Sequence, residues 1–133
     1  MTVDSEIQDL AHGRNFAAFT TLGPDGVPMT HVMWVDSDEN NILVNTEVHR
    51  RKYLNVVTDP RVAVMIMDAG DMQHYADVRG RVVETVTGPE AREHIEQLAQ
   101  RYMGKPFDAS LIRSERVILR ITPEHQRVRH APA

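Results

Sequence analysis

Four consecutive residues, His49-Arg50-Arg51-Lys52, gather positive charge in a chain whose formal net charge is -4. They stand directly after an apolar stretch with the look of a strand and at the start of a helical pattern. Exposed cations at a helix N-terminus face the positive end of the macrodipole, which costs about 0.3–1 kcal/mol each. A bound anion reverses that sign, because free backbone N–H groups, the dipole and the side-chain cations then converge on it, and phosphate is the natural ligand. The alternative is that Glu47 and solvent neutralise the run, leaving a solvated helix face.

Few other residues offer chemistry of their own. His31 and His74 titrate near neutrality and are candidate proton donors, although a lone histidine is more often a hydrogen-bonded structural residue. The chain has seven histidines, but none makes a His-x-x-x-His pair or a helical cluster with acids, so no transition-metal site is expected. The absence of cysteine removes disulfides, thiolate nucleophiles and thiolate-held metals from within the chain. Trp34 and Tyr75 have faces suited to stacking on a ring, with an ordinary core position the expected fate of Trp34. Met65 and Met67 alternate with Val64 and Ile66, a packing pattern at a core or subunit interface.

The elements that must position these residues are mostly strands. Asp4 or Ser5 caps a short helix to about Gly13, with Ile7, Leu10 and Ala11 as its apolar face. Strands are expected at Phe16 to Leu22 and Val27 to Val35 around a Pro24-Asp25-Gly26 turn, then at Asn41 to Thr46 after a turn over Ser37 to Asn40. His49 to Val57 has helical spacing and stops at Asp59-Pro60. Val62 to Met67 and Gln73 to Val86 continue the sheet, and Gly80 marks a bulge or bend in the longer strand. Gly88-Pro89-Glu90 opens the best helix, with Ile95, Leu98, Ala99 and Tyr102 as its stripe. A last strand runs from Arg116 to Ile121, and a further one is expected over Arg127 to Arg129.

At 133 residues, one domain spanning 1–133 is expected. The tally predicts a mainly β fold with flanking helices, its six or so antiparallel strands curling into a small barrel that removes exposed edges. Val62 to Met67 and Val117 to Leu119 carry apolar side chains on both faces, which points to burial of one face by a second subunit and hence to a homodimer. The net charge argues against general nucleic-acid binding. No apolar stretch reaches the roughly 20 residues of a membrane span, and Met1 to Glu6 lacks the features of a secretory signal, so a cytoplasmic protein is expected.

The order of these segments resembles the split-barrel pyridoxamine-phosphate-oxidase-like superfamily, of the FMN-binding split barrel type, and within it the small branch that uses the deazaflavin F420. The matching residues are Pro24-Asp25-Gly26, Pro28, Leu43-Val44-Asn45-Thr46, Arg50-Arg51-Lys52, Asn55 and Asp59-Pro60-Arg61-Val62, then Tyr75 to Val82 as the glycine-bearing long strand. The resemblance implies that Arg50, Lys52 and Arg51 grip a cofactor phosphate. It also implies that the cofactor ring lies against Pro28, Met29, Thr30 and His31 of one strand and Val44, Asn45 and Thr46 of another. The activity it implies is hydride transfer between F420 and a small organic substrate, with FMN as the alternative cofactor and a non-catalytic F420 carrier or sensor as the alternative role. Leu54 stands where relatives often carry another basic residue.

Overall fold

The computed structural model describes residues 2–130 and is built on one antiparallel sheet of seven strands with three helices. In chain order these are α1 (Ser5–His12), β1 (Phe16–Leu22), β2 (Pro28–Trp34), β3 (Asp36–Ser37), β4 (Ile42–Glu47), α2 (Arg51–Thr58), β5 (Arg61–Asp68), β6 (Asp71–Val86), α3 (Pro89–Met103) and β7 (Arg116–Arg129). The sheet order is β2-β1-β5-β6-β7-β4-β3, and it curls into a half-barrel that brings β2 and β4, from opposite ends of that order, close together. Beyond Leu43 the outer edge of β4 has no strand partner among the described residues, so the barrel is split between β2 and β4. No helix among them is long and apolar enough to cross a membrane.

The seven strands differ from the expected set at two places, one adding a strand and the other joining two. The two-residue β3 pairs with Ile42 and Leu43, in a stretch whose Ser and Asp residues read as a turn. At the other end, β7 runs unbroken from Arg116 to Arg129 through Pro123, where two shorter strands were expected. Proline is tolerated in a ladder where the pairing slips, and the β6–β7 register shifts at Arg79/Gly80, with Gly80 opposite Pro123.

Gly80 is required there by space. A Cβ at this position would sit 2.0 Å from the Thr122 carbonyl oxygen and 3.1 Å from the Pro123 Cα, both backbone atoms. Gly80→Ala is therefore expected to cost at least the roughly 1–3 kcal/mol of an overpacked core, read as a lower urea midpoint.

The barrel interior is filled by Phe19, Val35, Ile42, Val44, Ile66, Leu119 and Ile121, and α1 plugs one end with Ile7, Leu10 and Ala11. Burying the two larger of these α1 side chains contributes about 1.5–3 kcal/mol each. On the outer side α3 packs Ala91 against Ile118 and Leu43. The second face of Val117 to Leu119 is thus covered by a helix of the same chain, which corrects the expectation that a partner covers it. The outer face of β5 is different. Val32, Ala18 and Met65 stand in register across three strands, with Val32 71% and Met65 38% exposed, and Phe16 beside them is 45% exposed.

Candidate functional site

The split between β2 and β4 is the candidate site. It holds a cavity of about 300 Å³ lined by His31, Val32, Met33, Asn45, Thr46, Arg50, Lys52 and Arg116. A second hollow of about 290 Å³ shares Val32, Met33, Asn45, Arg50 and Arg116 with it and extends to Trp34, Ile95, Leu98 and Phe107. One end of the combined cleft is basic, and the other is aromatic and aliphatic.

The basic end is made by α2 and β7. Arg50 is the N-cap of α2, no side chain caps that terminus, and its first turn contains no acid, whereas α1 and α3 carry Glu6 and Glu90 there. Asn55 fastens the helix to the barrel by donating from Nδ2 to Thr21 Oγ1 at 3.0 Å. Lys52 is only 7% exposed. Neither it, Arg50 nor Arg51 has an ion-pair partner among the described residues. Burial first, then the charges of Arg50 and Arg116, push the Lys52 ammonium below its ordinary pKa. His31 is lowered too, by burial and then by Lys52 and Arg50.

Glu47 reaches only His49 of this run, at 3.8 Å, and is within ion-pair distance of neither Arg50, Arg51 nor Lys52. Its Oε1 accepts from the backbone N–H of Arg113 at 2.8 Å and of Ser114 at 2.7 Å, and its Oε2 accepts from Arg116 at 3.4 Å. Burial pushes the carboxyl pKa up, but the two N–H donors and the Arg116 guanidinium outweigh it, and the group stays ionised below its usual range. Of the run, Arg50 and Arg51 are exposed to solvent, whereas Lys52 is buried and faces no acid within ion-pair distance among the described residues.

Arg116 is the site residue that sequence reasoning missed. It pairs across the ladder with Glu47, lies under the Phe107 ring at 5.4 Å, and donates from Nε to Asn45 Oδ1 at 2.9 Å. Asn45 in turn donates from Nδ2 to the Ala91 carbonyl and to His94 Nδ1, both at 3.0 Å. An amide N–H can only donate, so His94 Nδ1 accepts and the imidazole proton sits on Nε2, pointing at Asp36 Oδ2 at 2.9 Å. Arg101 closes the chain on Asp36 Oδ1 at 2.8 Å. Buried polar groups are thus satisfied from the cleft wall to the far side of α3, and the orientation of Arg116 is fixed.

Asp36 gives that chain a pH limit. Burial raises its carboxyl, but hydrogen bonds from His94 and Arg101 overcome this and hold its pKa at about 2, against 3.8 unperturbed. Because the folded value is the lower one, its stabilisation is full above pH 3.8 and disappears as pH falls toward 2. The melting-temperature gap between wild type and Asp36→Asn is expected to be widest above that window and to shrink through it.

The predicted site residues divide. His31, Asn45, Thr46, Arg50 and Lys52 meet around the cavity. Val44 is fully buried in the core and lines neither hollow. Met29 and Arg51 line a separate groove with Gly23, Pro24, Asp25 and Val27. Pro28 borders a further cleft beside Arg61, Gly80 and Arg81, and the Thr30 hydroxyl bonds that of Thr20 at 2.8 Å. Trp34 is partly buried, packed against the Ile95, Leu98 and Tyr102 cluster and stacked on Tyr102 at 5.1 Å and 3°, and it also lines the cleft. Tyr75 and His74 lie outside the cleft.

Residues 3–130 match the family model of pyridoxamine 5'-phosphate oxidase. The chain belongs to that family. Among solved structures, an F420 reductase superposes with a TM-score of 0.81 at 26% identity, covering 94% of this chain and 98% of its own. A conserved hypothetical protein of Mycobacterium tuberculosis follows at 0.74 and 26%, covering 98% and 86%. General stress protein 26 of Bacillus anthracis, at 0.64 and 17% over 93% and 91%, shares the fold. No curated protein matches in sequence.

Proposed function

We propose that this member of the family is an F420-dependent oxidoreductase acting on a small organic substrate, with the cofactor phosphate held in the split by Arg50, Lys52 and Arg116. The observation that carries the reading is that Arg50 and Lys52, beside the Glu47-paired Arg116, have no ion-pair partner among the described residues. A buried ammonium pushed down by its burial and then by two guanidinium groups is a cost to the fold, and a dinegative group at the centre of the cluster would convert that cost into attraction. The likeness to an F420 reductase supports the deazaflavin.

A bound deazaflavin supplies hydride transfer, the chemistry this site lacks among its own side chains. The chain's residues bind, orient and exclude water. Arg50 and Lys52 supply charge from the mouth of α2, and the Asn45–His94–Asp36 chain keeps the Arg116 guanidinium turned to the cleft. The free edges of β2 at His31 to Met33 and of β4 at Asn45 and Thr46 offer backbone N–H and C=O groups to a ring edge. Arg51, Met29, Thr30 and Pro28 serve at the periphery of this arrangement. Trp34, Phe107 and Ile95 make an apolar wall suited to a low-polarity substrate. His31, in the same cavity, is the candidate proton donor, and an anion beside it would raise its depressed pKa. The apolar row of Val32, Ala18 and Met65 next to the cleft supports a homodimer completing the pocket.

FMN is the second cofactor reading, favoured by Leu54, an exposed apolar residue of α2 that offers no charge to a longer anionic tail. The test is steady-state oxidation of reduced F420 with a panel of electrophilic substrates. Turnover supports the enzyme, strictly stoichiometric binding supports a carrier or sensor, and a yellow preparation supports FMN.

A further inference from the structure

At the far end of the long strands, three elements distant in sequence bring metal-ligating side chains together. Glu6 of α1, His74 of β6 and His130 just after β7 place one donor atom each within 4.8 Å of one another. Glu6 Oε2 is 3.0 Å from His74 Nε2 and 3.2 Å from His130 Nε2. The two imidazoles lie nearly parallel, 12° apart, with centroids separated by 4.8 Å.

We infer that Glu6, His74 and His130 form a binding site for one divalent cation of the zinc class, distinct from the cofactor cleft. Two imidazoles and one carboxylate are a ligand set such a borderline ion takes, and three protein ligands leave a fourth position for water or an outside group. Bonds of about 2.0–2.2 Å at tetrahedral angles put neighbouring donors roughly 3.3 Å apart, close to the separations from Glu6 to each histidine. Both histidines turn Nε2 toward the same carboxylate oxygen, the arrangement an ion shared by all three would hold.

The surroundings of His74 give an independent reason. Its Nδ1 lies 3.0 Å from Asp68 Oδ2, and Asp68 is itself fixed by the Gly70 N–H donating to its Oδ1 at 2.8 Å. Without an ion, Nε2–H donates to Glu6 Oε2 at 3.0 Å; a cation would take the place of that proton, while the Asp68 carboxylate would hold the other proton on Nδ1, the second layer that orients metal-binding histidines. Sequence spacing could not show this, since the ligands are 68 and 56 residues apart and no local pattern joins them. The bound ion would tie the N-terminal helix to the ends of β6 and β7.

The test is calorimetric titration of the untagged, chelator-treated full chain with Zn²⁺, paralleled by Co²⁺ followed in visible absorption. One saturable ion per chain is expected, with the absorption of four-coordinate cobalt. His130→Ala, at a 64% exposed side chain whose loss leaves the core intact, should abolish it, and Asp68→Asn should weaken it roughly tenfold or more. His125→Ala, an exposed histidine elsewhere on β7, should leave it unchanged. No saturable binding up to millimolar zinc overturns the inference. So does binding of equal affinity and stoichiometry in His130→Ala.

Discussion

Replacing Glu47 with alanine is expected to destabilise the fold by about 3–5 kcal/mol, the cost of breaking a buried ion pair by removing one partner. Glu47 is 1% exposed and Arg116 7%, so water cannot replace what either loses. The carboxylate also caps the N–H groups of Arg113 and Ser114, which turn the chain into β7. Without it two amides and a guanidinium are left short of acceptors in the interior, and each unsatisfied group adds to the loss. Glu47→Gln keeps an acceptor oxygen but no charge and should fall between alanine and wild type. Urea unfolding followed by circular dichroism measures both variants. A loss under about 1 kcal/mol for the alanine variant would mean that solvent, and not Glu47, balances Arg116.

Lys52→Met is expected to act in opposite directions on stability and on binding. Removing the ammonium relieves repulsion from Arg50 and Arg116 and its burial, the causes of its lowered pKa. The methionine stem fills similar space, so the melting temperature should hold or rise. Cofactor affinity should fall by about 1.5–3 kcal/mol, roughly ten- to hundredfold in dissociation constant, if a charge-assisted bond to phosphate is lost. A structural lysine would move the first quantity and leave the second alone. Unchanged affinity would therefore reassign Lys52 to packing.

Much of the architecture was legible because local patterns carried it. The Phe16 to Leu22 strand is marked off by the Pro24-Asp25-Gly26 turn, the helix after Gly88 opens on proline and an acid, and the cations of α2 stand out against an acidic background. Gly80 announced its bend because a long strand rarely tolerates a residue without a side chain unless something approaches closely, and here Thr122 does. What stayed hidden depended on register. Arg116 becomes a wall of the cleft only when β7 pairs with β4 so that it meets Glu47, and the Asn45–His94 contact needs α3 laid across that pair. For the same reason Glu47 read as a counter-charge to the whole basic run, although strand geometry turns it toward β7 and leaves only His49 of the run within reach. Trp34 read as core because its strand is apolar, and it packs partly buried against Tyr102 of α3 while also lining the cleft. The unexpected shelter of Val117 to Leu119 by α3 leaves the outer row of β2, β1 and β5 as the apolar surface available to a second subunit.

The claim on which the functional reading rests is that Arg50, Lys52 and Arg116 surround a place for a phosphate-bearing redox cofactor. Equilibrium titration of the purified chain with F420, followed by the cofactor's own fluorescence, tests it most directly. The account predicts saturable one-to-one binding per chain, competed by inorganic phosphate and weakened in Lys52→Met. Absence of binding by F420 and FMN alike, at concentrations approaching millimolar, would contradict it.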